Sequence, residues 1–561
     1  MGERWVVTLR SRQSWYHPPQ FELAPNPQHR KTSMILKKKR IVLFLPHRAD
    51  PAQGIRVSAD LLPLELLQIA GIPDREGYEV VIVDAMVHDD YMQRLMELCD
   101  GALIFGSSCI LGYQVAHGAE VAKAIRQRFP DLPIIWGGWF PSVVPEQYLE
   151  EGIADAVCLG QGEFTFWDYI QAVDNGEDIA DVAGLVILRD GKPHYTAHRK
   201  IVGFNDIPDV PWHLIDFEEY VRMQNDNSNE WKVRHKYANP WDWKPGTELR
   251  GFSYYSSFGC PEPCTFCCSP GVTNRRWKAI PGGILGERIM ECHERFNFNV
   301  LRFQDANFGV AEKRSNEFCD SLIEAKAPFW WNGTYEIETI ARYRSESLDK
   351  LAASRFHMAA LGAEAGTEEQ QTRIGKKIDI RNNLGPALNS LNKRGIQTSV
   401  SWIIGYPEET AQSMLDTITV AAKTKHMFPN SPSDVFPFRA IPGSADYDTA
   451  VKLGYEKPKT LVDWGDVLEY KYEIGGSGLP EDVVRRWRRY GVTSTFYDGL
   501  AKEGSGFVRD FMRKISGWRL RTNNFDFPLE QKLFHTLVRI SGNRTQENTL
   551  GTDKTSTSAT A

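Results

Sequence analysis

The chain has 561 residues, of which 42% are apolar and 25% are charged, and its formal net charge at pH 7 is −6. This is the profile of a soluble protein of about three or four domains, with no overall charge that would draw it to nucleic acid or an anionic membrane. It contains neither an apolar run of about 18 residues nor an apolar core of signal-peptide length near its first residue, so we expect no spanning helix and no secretory signal.

The two ends of the chain lack apolar periodicity. Residues 1–33 are polar and contain prolines, and residues 546–561 are rich in Ser and Thr. Segments of this kind bury too little apolar surface to offset the entropy lost on ordering. We therefore predict a disordered arm and a disordered tail. Met34, just before the first apolar strand, is an alternative start to Met1.

Residues 40–180 alternate short apolar runs with helical patterns, which predicts a parallel, doubly wound sheet. Such sheets bind ligands at the carboxyl ends of their strands. The predicted strands are 41–45, 80–83, 102–105, 134–136 and 156–159. Small or polar residues follow three of them: Ser107, Ser108, Gly137, Gly138, Gly160, Gly162 and Glu163. Glycine lets a backbone approach a bulky ligand closely. Ordinary turns of a flavodoxin-like fold, or a nucleotide site, are the alternatives, and the lack of a G-x-G-x-x-G or P-loop weakens the latter.

Residues 181–249 are predicted to connect two domains. The apolar run 185–188 precedes a turn signal at Asp190 and Gly191, which together predict a hairpin. Residues 225–247 are rich in Asn, Trp and Lys without periodicity. They are either a loop near an active-site mouth or a solvated insertion.

Three cysteines, Cys260, Cys264 and Cys267, follow in the spacing C-x3-C-x2-C. A cubane iron–sulfur cluster has four irons that cysteine thiolates normally hold, so three close cysteines leave one iron open to a small molecule. A structural zinc site wants four ligands, and the nearest fourth thiol, Cys268, adjoins Cys267 and is poorly placed for a tetrahedral ion. The other cysteines are scattered, which indicates buried core residues rather than a disulfide framework.

Residues 250–447 again alternate strands with helices, and polar residues lie where the strands end. The predicted strands are 253–256, 300–304, 330–334, 357–361, 398–404 and 435–440. In a barrel, functional groups lie at these carboxyl ends. Asp305, after the second strand, either faces the cavity or caps the next helix. Lys376 and Lys377 are interpreted as a solvated face.

The cysteine spacing, with an aromatic residue just before the last cysteine, resembles the cluster motif of the radical S-adenosylmethionine (SAM) enzymes. The resemblance implies a partial (β/α)6 barrel, a [4Fe–4S] cluster on the three cysteines, and SAM on the open iron. It also implies that Phe266 packs beside the SAM adenine, that Glu364 contacts SAM, and that the backbone at Gly405 lies along the adenine. The serine usual in the Glu364 motif is Ala365 here, so one hydrogen bond to SAM is lost or moved.

Ahead of this motif, the first domain resembles the cobalamin-binding domain of cobalamin-dependent radical SAM enzymes. The resemblance rests on the runs 63–67, 137–138 with Pro141, and 160–163. It implies that cobalamin binds at the small residues after the strands, namely Ser107, Ser108, Gly137, Gly138, Gly160, Gly162 and Glu163. The family usually has a polar residue or histidine after the glycine pair, where this chain has Trp139. No D-x-H-x-x-G motif occurs, so no histidine is expected from it below the cobalt.

The fold class that follows is α/β. A Rossmann-like cobalamin-binding domain precedes the radical SAM barrel, and a helical, aromatic-rich region follows over 448–545. We expect these C-terminal helices to pack over the barrel mouth and help to set substrate choice. Their basic residues leave contact with a membrane surface as an alternative role.

The resemblance implies an oxygen-sensitive, cytoplasmic enzyme that uses a [4Fe–4S] cluster, SAM and cobalamin. One SAM methylates cobalt, and a second yields the 5′-deoxyadenosyl radical, which activates a carbon of a small-molecule, lipid or secondary-metabolite substrate for methylation. An external donor such as flavodoxin or ferredoxin supplies electrons, and no nucleic acid takes part. The alternatives are oxidative cyclisation or hydroxylation, as in the anaerobic tetrapyrrole cyclases, and a non-catalytic cobalamin or redox sensor. No side chain is singled out as catalytic.

Overall fold

The computed structural model describes most of the two predicted domains and part of the C-terminal region. The described residues are 39–48, 62–203, 207, 209–225, 246–376, 378–467, 478–498, 506–526 and 528. The predicted disordered ends, 1–33 and 546–561, lie outside the described residues, as do Met34, Lys377 and nearly all of the loop predicted over 225–247.

The first domain is built on a sheet of seven strands in the order β2-β1-β3-β4-β5-β6-β7. The strands are β1 (Arg40–Leu45), β2 (Glu79–Asp84), β3 (Ile104–Ser108), β4 (Ile134–Gly137), β5 (Ala156–Cys158), β6 (Leu185–Arg189) and β7 (Lys192–Tyr195). Strands β1 to β5 are parallel, and β6 and β7 are antiparallel to their neighbours. The hairpin predicted in the connecting region therefore extends this sheet to Tyr195, beyond residue 180.

Helices cover both faces of this sheet, which confirms the doubly wound prediction. They are α1 (Leu64–Arg75), α2 (Tyr91–Leu98), α3 (Tyr113–Arg128), α4 (Trp139–Val143), α5 (Pro145–Glu150) and α6 (Glu163–Asn175). Alternate residues of β1 enter different cores. Ile41 and Leu43 pack with α1 and α6, whereas Val42 and Phe44 pack with α2 and α3. This period of two is what a strand buried on both faces requires.

The second domain is a parallel sheet of six strands in the order β15-β14-β13-β12-β11-β8, which confirms the partial barrel. Its strands are β8 (Gly251–Tyr254), β11 (Val300–Phe303), β12 (Trp330–Tyr335), β13 (Phe356–Glu364), β14 (Gln397–Ile404) and β15 (Ser433–Pro437). A small antiparallel pair that the sequence did not predict, β9 (Ser257–Gly259) and β10 (Trp277–Ala279), brackets the cysteine segment.

The remaining helices precede, separate or follow the barrel strands, and α7 is the one before the barrel. They are α7 (Phe217–Asn225), α8 (Ser269–Thr273), α9 (Gly282–Phe296), α10 (Glu312–Glu324), α11 (Ile337–Arg342), α12 (Ser345–Ala353), α13 (Glu368–Arg373), α14 (Gly385–Asn392), α15 (Ala411–Met427), α16 (Ala445–Lys452), α17 (Asp463–Val467), α18 (Glu481–Asp498) and α19 (Phe507–Thr522). Within the described part of the chain, no helix has the length and hydropathy needed to cross a bilayer.

Side chains of the barrel strands alternate between a helix-facing core and a partly open interior. Trp402 and Ile404 of β14 are fully buried in the apolar core. Ser401 and Ile403, which point the other way, are partly exposed. Because successive strand residues face opposite sides, these positions line the interior of the barrel, which solvent can reach.

The segment after the barrel packs back on the first domain. The indole Nε1 of Trp464 donates to Gln147 Oε1 at 2.9 Å, and the amide of Leu461 donates to Glu151 Oε1 at 2.7 Å. Both partners lie on or next to α5. Contacts separated by about 300 residues of sequence thus tie the two sheets into one unit.

The described C-terminal helices lie along the open edge of the barrel rather than across its mouth. Trp487 of α18 donates its indole N–H to the Val435 carbonyl at 2.7 Å, and Tyr490 donates to the Ser433 carbonyl. Both carbonyls belong to β15, the edge strand of the sheet. Helix α18 thereby covers an edge that would otherwise expose unpaired backbone groups.

We predict that Trp487→Ala lowers the free energy of unfolding by about 3 to 5 kcal/mol, because a buried indole and its hydrogen bond to the edge strand are both lost. Urea denaturation of the protein without cofactors, followed by circular dichroism, measures the change. The matched control is Arg485→Ala on the exposed face of the same helix, which we expect to change stability by less than about 0.5 kcal/mol. Equal stabilities of the two variants would contradict the edge-covering role.

Candidate active site between the two sheets

The segment 260–267 with the three cysteines, here called the cluster loop, is held on both sides by close backbone contacts. At its start, Gly259 has φ +83° and packs directly against the Arg276 carbonyl, where any Cβ would clash. In its middle, the Pro263 carbonyl lies 2.8 Å from where a Cβ of Gly375 would stand. Gly375 also has a positive φ, +73°. Glycine is needed at both positions because no side chain fits there.

A buried carboxylate fixes the middle of the cluster loop. Asp446, at the start of α16, accepts a hydrogen bond from the Thr265 hydroxyl at 3.0 Å, and its amide donates to the Thr265 carbonyl at 2.9 Å. Arg373 Nη1 donates to the same carboxylate at 3.3 Å. Asp446 is only 3% exposed, so this charge-assisted network is strong. It joins the cluster loop to the helices that follow strands β13 and β15.

The three thiols lie in a partly desolvated setting. Cys264 is buried, and Cys260 and Cys267 are half-buried. Burial raises the pKa of Cys260 to about 11 and raises that of Cys264 further, so both are neutral thiols at pH 7 unless a positive ion draws off their protons. Among the described residues, no three His, Cys, Asp or Glu side chains are close enough to hold one metal ion. A cubane is wider, since each thiolate binds a different iron.

Glu364 takes part in a buried charge cluster that the sequence did not predict. Lys376 Nζ lies 2.6 Å from Glu336 Oε2 and 3.7 Å from Glu364 Oε1. Burial raises the pKa of Glu364 to about 7, against the opposing effect of Lys376, and the two carboxylates hold the pKa of Lys376 above its usual value in spite of burial. The interpretation of Lys376 as a solvated residue is wrong, because it is 5% exposed.

Phe266 packs into a small aromatic group at the ends of β14 and β15. Its ring lies 5.8 Å from that of Tyr406, which lies 5.6 Å from Phe438. The Tyr406 hydroxyl and the Nε and Nη2 atoms of Arg373 are buried and have no hydrogen-bond partner among the described residues. Buried donors of this kind are normally satisfied, so the structure leaves room here for a ligand or water that accepts hydrogen bonds.

Gly405 has φ +85° at the turn after β14, and its amide donates to Glu409 Oε2 at 2.7 Å. Leu479, from the segment before α18, covers the face of Gly405 where a Cβ would stand.

Asp305, after the second barrel strand, is not at the cavity surface. Its carboxylate accepts hydrogen bonds from the hydroxyls of Ser256 and Ser257 at 2.5 and 2.6 Å, so it braces the strand that leads into the cluster loop.

The predicted cobalamin residues divide into two groups. Ser107, Ser108 and Gly138 pack within their own domain: the Ser107 hydroxyl donates to the Phe44 carbonyl at 3.0 Å, and a Cβ on Gly138 would stand 2.6 Å from the Cys109 carbonyl and 2.7 Å from Ser108 Oγ. The glycine at 138 is therefore explained by contacts inside the sheet.

Gly137, Gly160, Gly162 and Glu163 line the carboxyl edge itself. A Cβ on Gly137 would meet only the Cys158 Cβ, at 3.8 Å, and a Cβ on Gly160 only the Val272 carbonyl, at 3.8 Å. Burial raises the pKa of Glu163 to about 7, and its Oε2 atom has no partner within the described residues. Open space beside glycines and an unsatisfied buried oxygen fit a large ligand that carries hydrogen-bond donors.

This edge of the first sheet faces the cluster loop directly. Trp139, the first residue of α4, stacks on Phe258 with ring centroids 6.2 Å apart. Val143 packs on Gly443, and the Gly443 carbonyl lies 2.5 Å from where a Cβ of Gly271 would stand. The two predicted cofactor sites therefore lie on edges that pack against each other, and Trp139, where the chain departs from the family pattern, is one of the contact residues.

Comparison with known proteins agrees with this arrangement. Residues 53–169 match the family model for the B12 binding domain. An uncharacterized methyltransferase of Pyrococcus horikoshii is 22% identical over 394 residues, which cover 69% of this chain and 79% of that protein. The anaerobic magnesium-protoporphyrin IX monomethyl ester cyclase of Synechocystis is 24% identical over 376 residues, covering 66% of this chain and 69% of the cyclase.

The solved structure of the radical SAM methyltransferase TsrM from Kitasatospora setae has the same fold. It superposes with a TM-score of 0.59 at 14% identity, and the match covers 87% of this chain and 99% of TsrM. The chain has the fold of the cobalamin-dependent radical SAM enzymes. In this fold, the predicted cobalamin edge at Gly137 and Gly160 lies beside the cluster loop, residues 260–267.

The roles of the individual site residues stay predictions. The structure brings Cys260, Cys264, Cys267, Phe266 and Glu364 to one end of the radical SAM barrel, opposite the cobalamin edge. Sequence reasoning missed two features of the site: Lys376 is buried between two carboxylates, and Arg373 and Asp446 hold the cluster loop. Glu336, at the end of the third barrel strand, carried a usable signal, since charged residues at strand ends are candidates for function.

We predict that Cys260→Ala, Cys264→Ala and Cys267→Ala together abolish cluster assembly, because each removes the thiolate of one iron. Wild-type protein should hold about four irons and four sulfides per chain after anaerobic reconstitution. Chemical iron and sulfide assays give the stoichiometry. The matched control is Cys268→Ala, which should keep the cluster. A triple variant that retains iron through Cys268 and the remaining cysteines would disprove the assignment.

We predict that Gly137→Leu blocks cobalamin binding and leaves the fold intact, because the new side chain enters open space at the cobalamin edge. Gly138 is unsuited to this test, since a side chain there already collides with Cys109. Corrinoid absorbance after anaerobic reconstitution and desalting reports binding. Gly283→Leu on α9, where nothing lies within 4 Å, is the control, and full cobalamin retention by Gly137→Leu would contradict the proposed edge.

Proposed function

We propose that this chain is a cobalamin-dependent radical SAM methyltransferase that adds a methyl group to an unactivated carbon of a small-molecule substrate. The observation that carries the proposal is the contact between the two predicted cofactor edges: the ring of Trp139 stacks on that of Phe258, two residues before Cys260, with the ring centroids 6.2 Å apart. Methyl transfer needs both cofactors within reach of one substrate. A methyltransferase among the relatives and TsrM among the solved structures support this reaction.

The residues present fit the three groups that the proposal requires. Cys260, Cys264 and Cys267 would hold the [4Fe–4S] cluster, and the edge formed by Gly137, Gly160 and the unsatisfied Glu163 carboxyl would hold cobalamin, whose rim carries amide donors. When bound, the cluster supplies the electron that cleaves SAM, and cobalamin carries the methyl group. The TsrM structure contains cobalamin and a [4Fe–4S] cluster.

The charge cluster suits the two ends of the SAM amino acid. Glu364 can accept hydrogen bonds from the amino group, and Lys376 can pair with the carboxylate. The buried Glu364 has a pKa near 7 without ligand, and a bound cation would favour its ionised form. Phe266 and Tyr406 offer aromatic surface to the adenine, and the unsatisfied N–H groups of Arg373 offer donors to its nitrogens or to the ribose.

The partly open barrel interior is the place that we assign to the substrate. Ser401 and Ile403 of β14, with Thr334 of β12, present a mixed polar and apolar wall there. The protein holds the substrate carbon between the SAM end of the barrel and the cobalamin edge and keeps bulk water away from it. The domain boundaries at residues 249 and 447 remain part of this proposal, whereas the boundary at 180 moves beyond Tyr195, because β6 and β7 belong to the first sheet.

Labelled SAM tests the reaction. With SAM that carries a deuterated methyl group and a supplied substrate, we expect the label to enter the product, with both S-adenosylhomocysteine and 5′-deoxyadenosine formed. Mass spectrometry of the reaction detects all three. The Cys260→Ala, Cys264→Ala, Cys267→Ala variant is the control and should form no 5′-deoxyadenosine.

One comparison favours a second candidate. The similarity to the anaerobic magnesium-protoporphyrin IX monomethyl ester cyclase supports a cobalamin-dependent oxidative reaction on a similar scaffold. Substrate-dependent 5′-deoxyadenosine without S-adenosylhomocysteine or label in the product would reject methylation in favour of this reaction. A protein that binds all three cofactors but never cleaves SAM would instead be a sensor.

A further inference from the structure

A short basic turn adjoins the cluster loop on its solvent side. It consists of Arg275, Arg276 and Lys278, three exposed cations between helix α8 and the end of strand β10. None of the three forms an ion pair within the described part of the chain. One carboxylate, Glu262, lies in the cluster loop nearby and is half-buried. The chain as a whole carries a net charge of −6, so this turn is a local positive site on a negative protein.

The backbone of the basic turn is held in an unusual shape against the cluster loop. Asn274 and Arg275 have φ values of +50° and +57°, which is costly for residues with a side chain. The Arg275 Nε donates to the Pro261 carbonyl at 3.2 Å, and the Arg276 carbonyl packs on Gly259. Pro261 and Gly259 are the two neighbours of Cys260. The turn therefore touches the chain on both sides of one predicted cluster ligand.

Solvent reaches the cluster loop at this point. Cys260, Pro261, Glu262 and Pro263 are all partly exposed, whereas Thr265, further along the loop, is held by the buried Asp446. An electron that enters the cluster from another protein needs a short path, since electron transfer slows steeply with distance. The exposed side beside the basic turn offers such a path.

We propose that the basic turn is the docking surface for an acidic, low-potential one-electron carrier protein of the flavodoxin or ferredoxin class. The inference rests on the proposed function, which requires a reducible cluster at Cys260. One electron leaves the reduced carrier and enters the oxidised cluster, and no atom is transferred. Positive groups beside the entry point attract an acidic partner and orient it, which chiefly raises the rate of association.

The test compares reduction by a carrier with reduction by a small molecule. In the double variant Arg276→Glu, Lys278→Glu, Arg275 keeps its contact with Pro261. We expect the second-order rate constant for reduction of the reconstituted cluster by an acidic flavodoxin to fall about tenfold or more at low salt and to approach the wild-type value at high salt. Reduction by photoreduced deazaflavin, which needs no docking surface, should proceed at the wild-type rate. Stopped-flow absorbance and the electron paramagnetic resonance signal of the reduced cluster follow both reactions.

The matched control is Lys393→Glu, Lys423→Glu, which makes the same charge change at two exposed lysines near the opposite end of the barrel. It should leave both rates unchanged. An equal fall in this control would show that net charge alone matters, and an unchanged flavodoxin rate in the Arg276, Lys278 variant would overturn the docking surface. The docking surface would also be overturned if the Arg276, Lys278 variant lost binding to anionic lipid vesicles and kept its reduction rate, because the turn would then bind a membrane. Failure of the wild-type protein to assemble a cluster would reject the proposed function itself.

Discussion

The shape of the cluster loop is the constraint on which the rest of this molecule depends. Three thiols within eight residues can hold one inorganic cluster only if the backbone between them is bent in a fixed way, yet the loop has little regular structure of its own. Its form is imposed from outside by Asp446, which binds Thr265 from a helix 181 residues away in sequence, and by backbone contacts at Gly259 and Gly375 that exclude any side chain. The contact at Gly259 is local, from Arg276 beside β10, whereas those at Asp446 and Gly375 come from segments that follow β15 and β13.

The second feature is the close approach of two sheets at their carboxyl edges. Helix α4 of the first domain meets the turn before α16, which in turn contacts α8: the Val143 side chain packs on Gly443, and the Gly443 carbonyl lies 2.5 Å from where a Cβ of Gly271 would stand. The amide of Leu461 and the indole of Trp464 also donate hydrogen bonds to Glu151 and Gln147 of the first domain. Since parallel sheets bind ligands at their carboxyl edges, this packing brings the two predicted binding edges next to each other.

Charge is distributed unevenly around the two predicted binding edges. Inside, the buried Lys376 Nζ lies 2.6 Å from Glu336 Oε2 and 3.7 Å from Glu364 Oε1. Outside, the basic turn presents positive charge to solvent beside Cys260. A buried ion pair is weak support for stability because the charges lose their hydration, which is consistent with the SAM-binding role proposed for the Lys376 cluster. At the edge of the barrel, burial of Trp487 against β15 contributes to stability.

The sequence by itself determined the local features. Periodicity predicted the parallel strands of both sheets and the hairpin that begins at 185, and the cysteine spacing with the glycines at strand ends gave positions for two cofactors that stay predictions. Only the tertiary structure decided which side chains meet: that Lys376 is buried between two carboxylates, that Asp305 braces Ser256 rather than facing the cavity, that Gly138 serves its own sheet, and that β6 and β7 join the first domain. The physical reason is that periodicity reports the local backbone and its burial, whereas pairs such as Lys376 and Glu336, 40 residues apart, meet only after the strands between them have taken their places in the sheet.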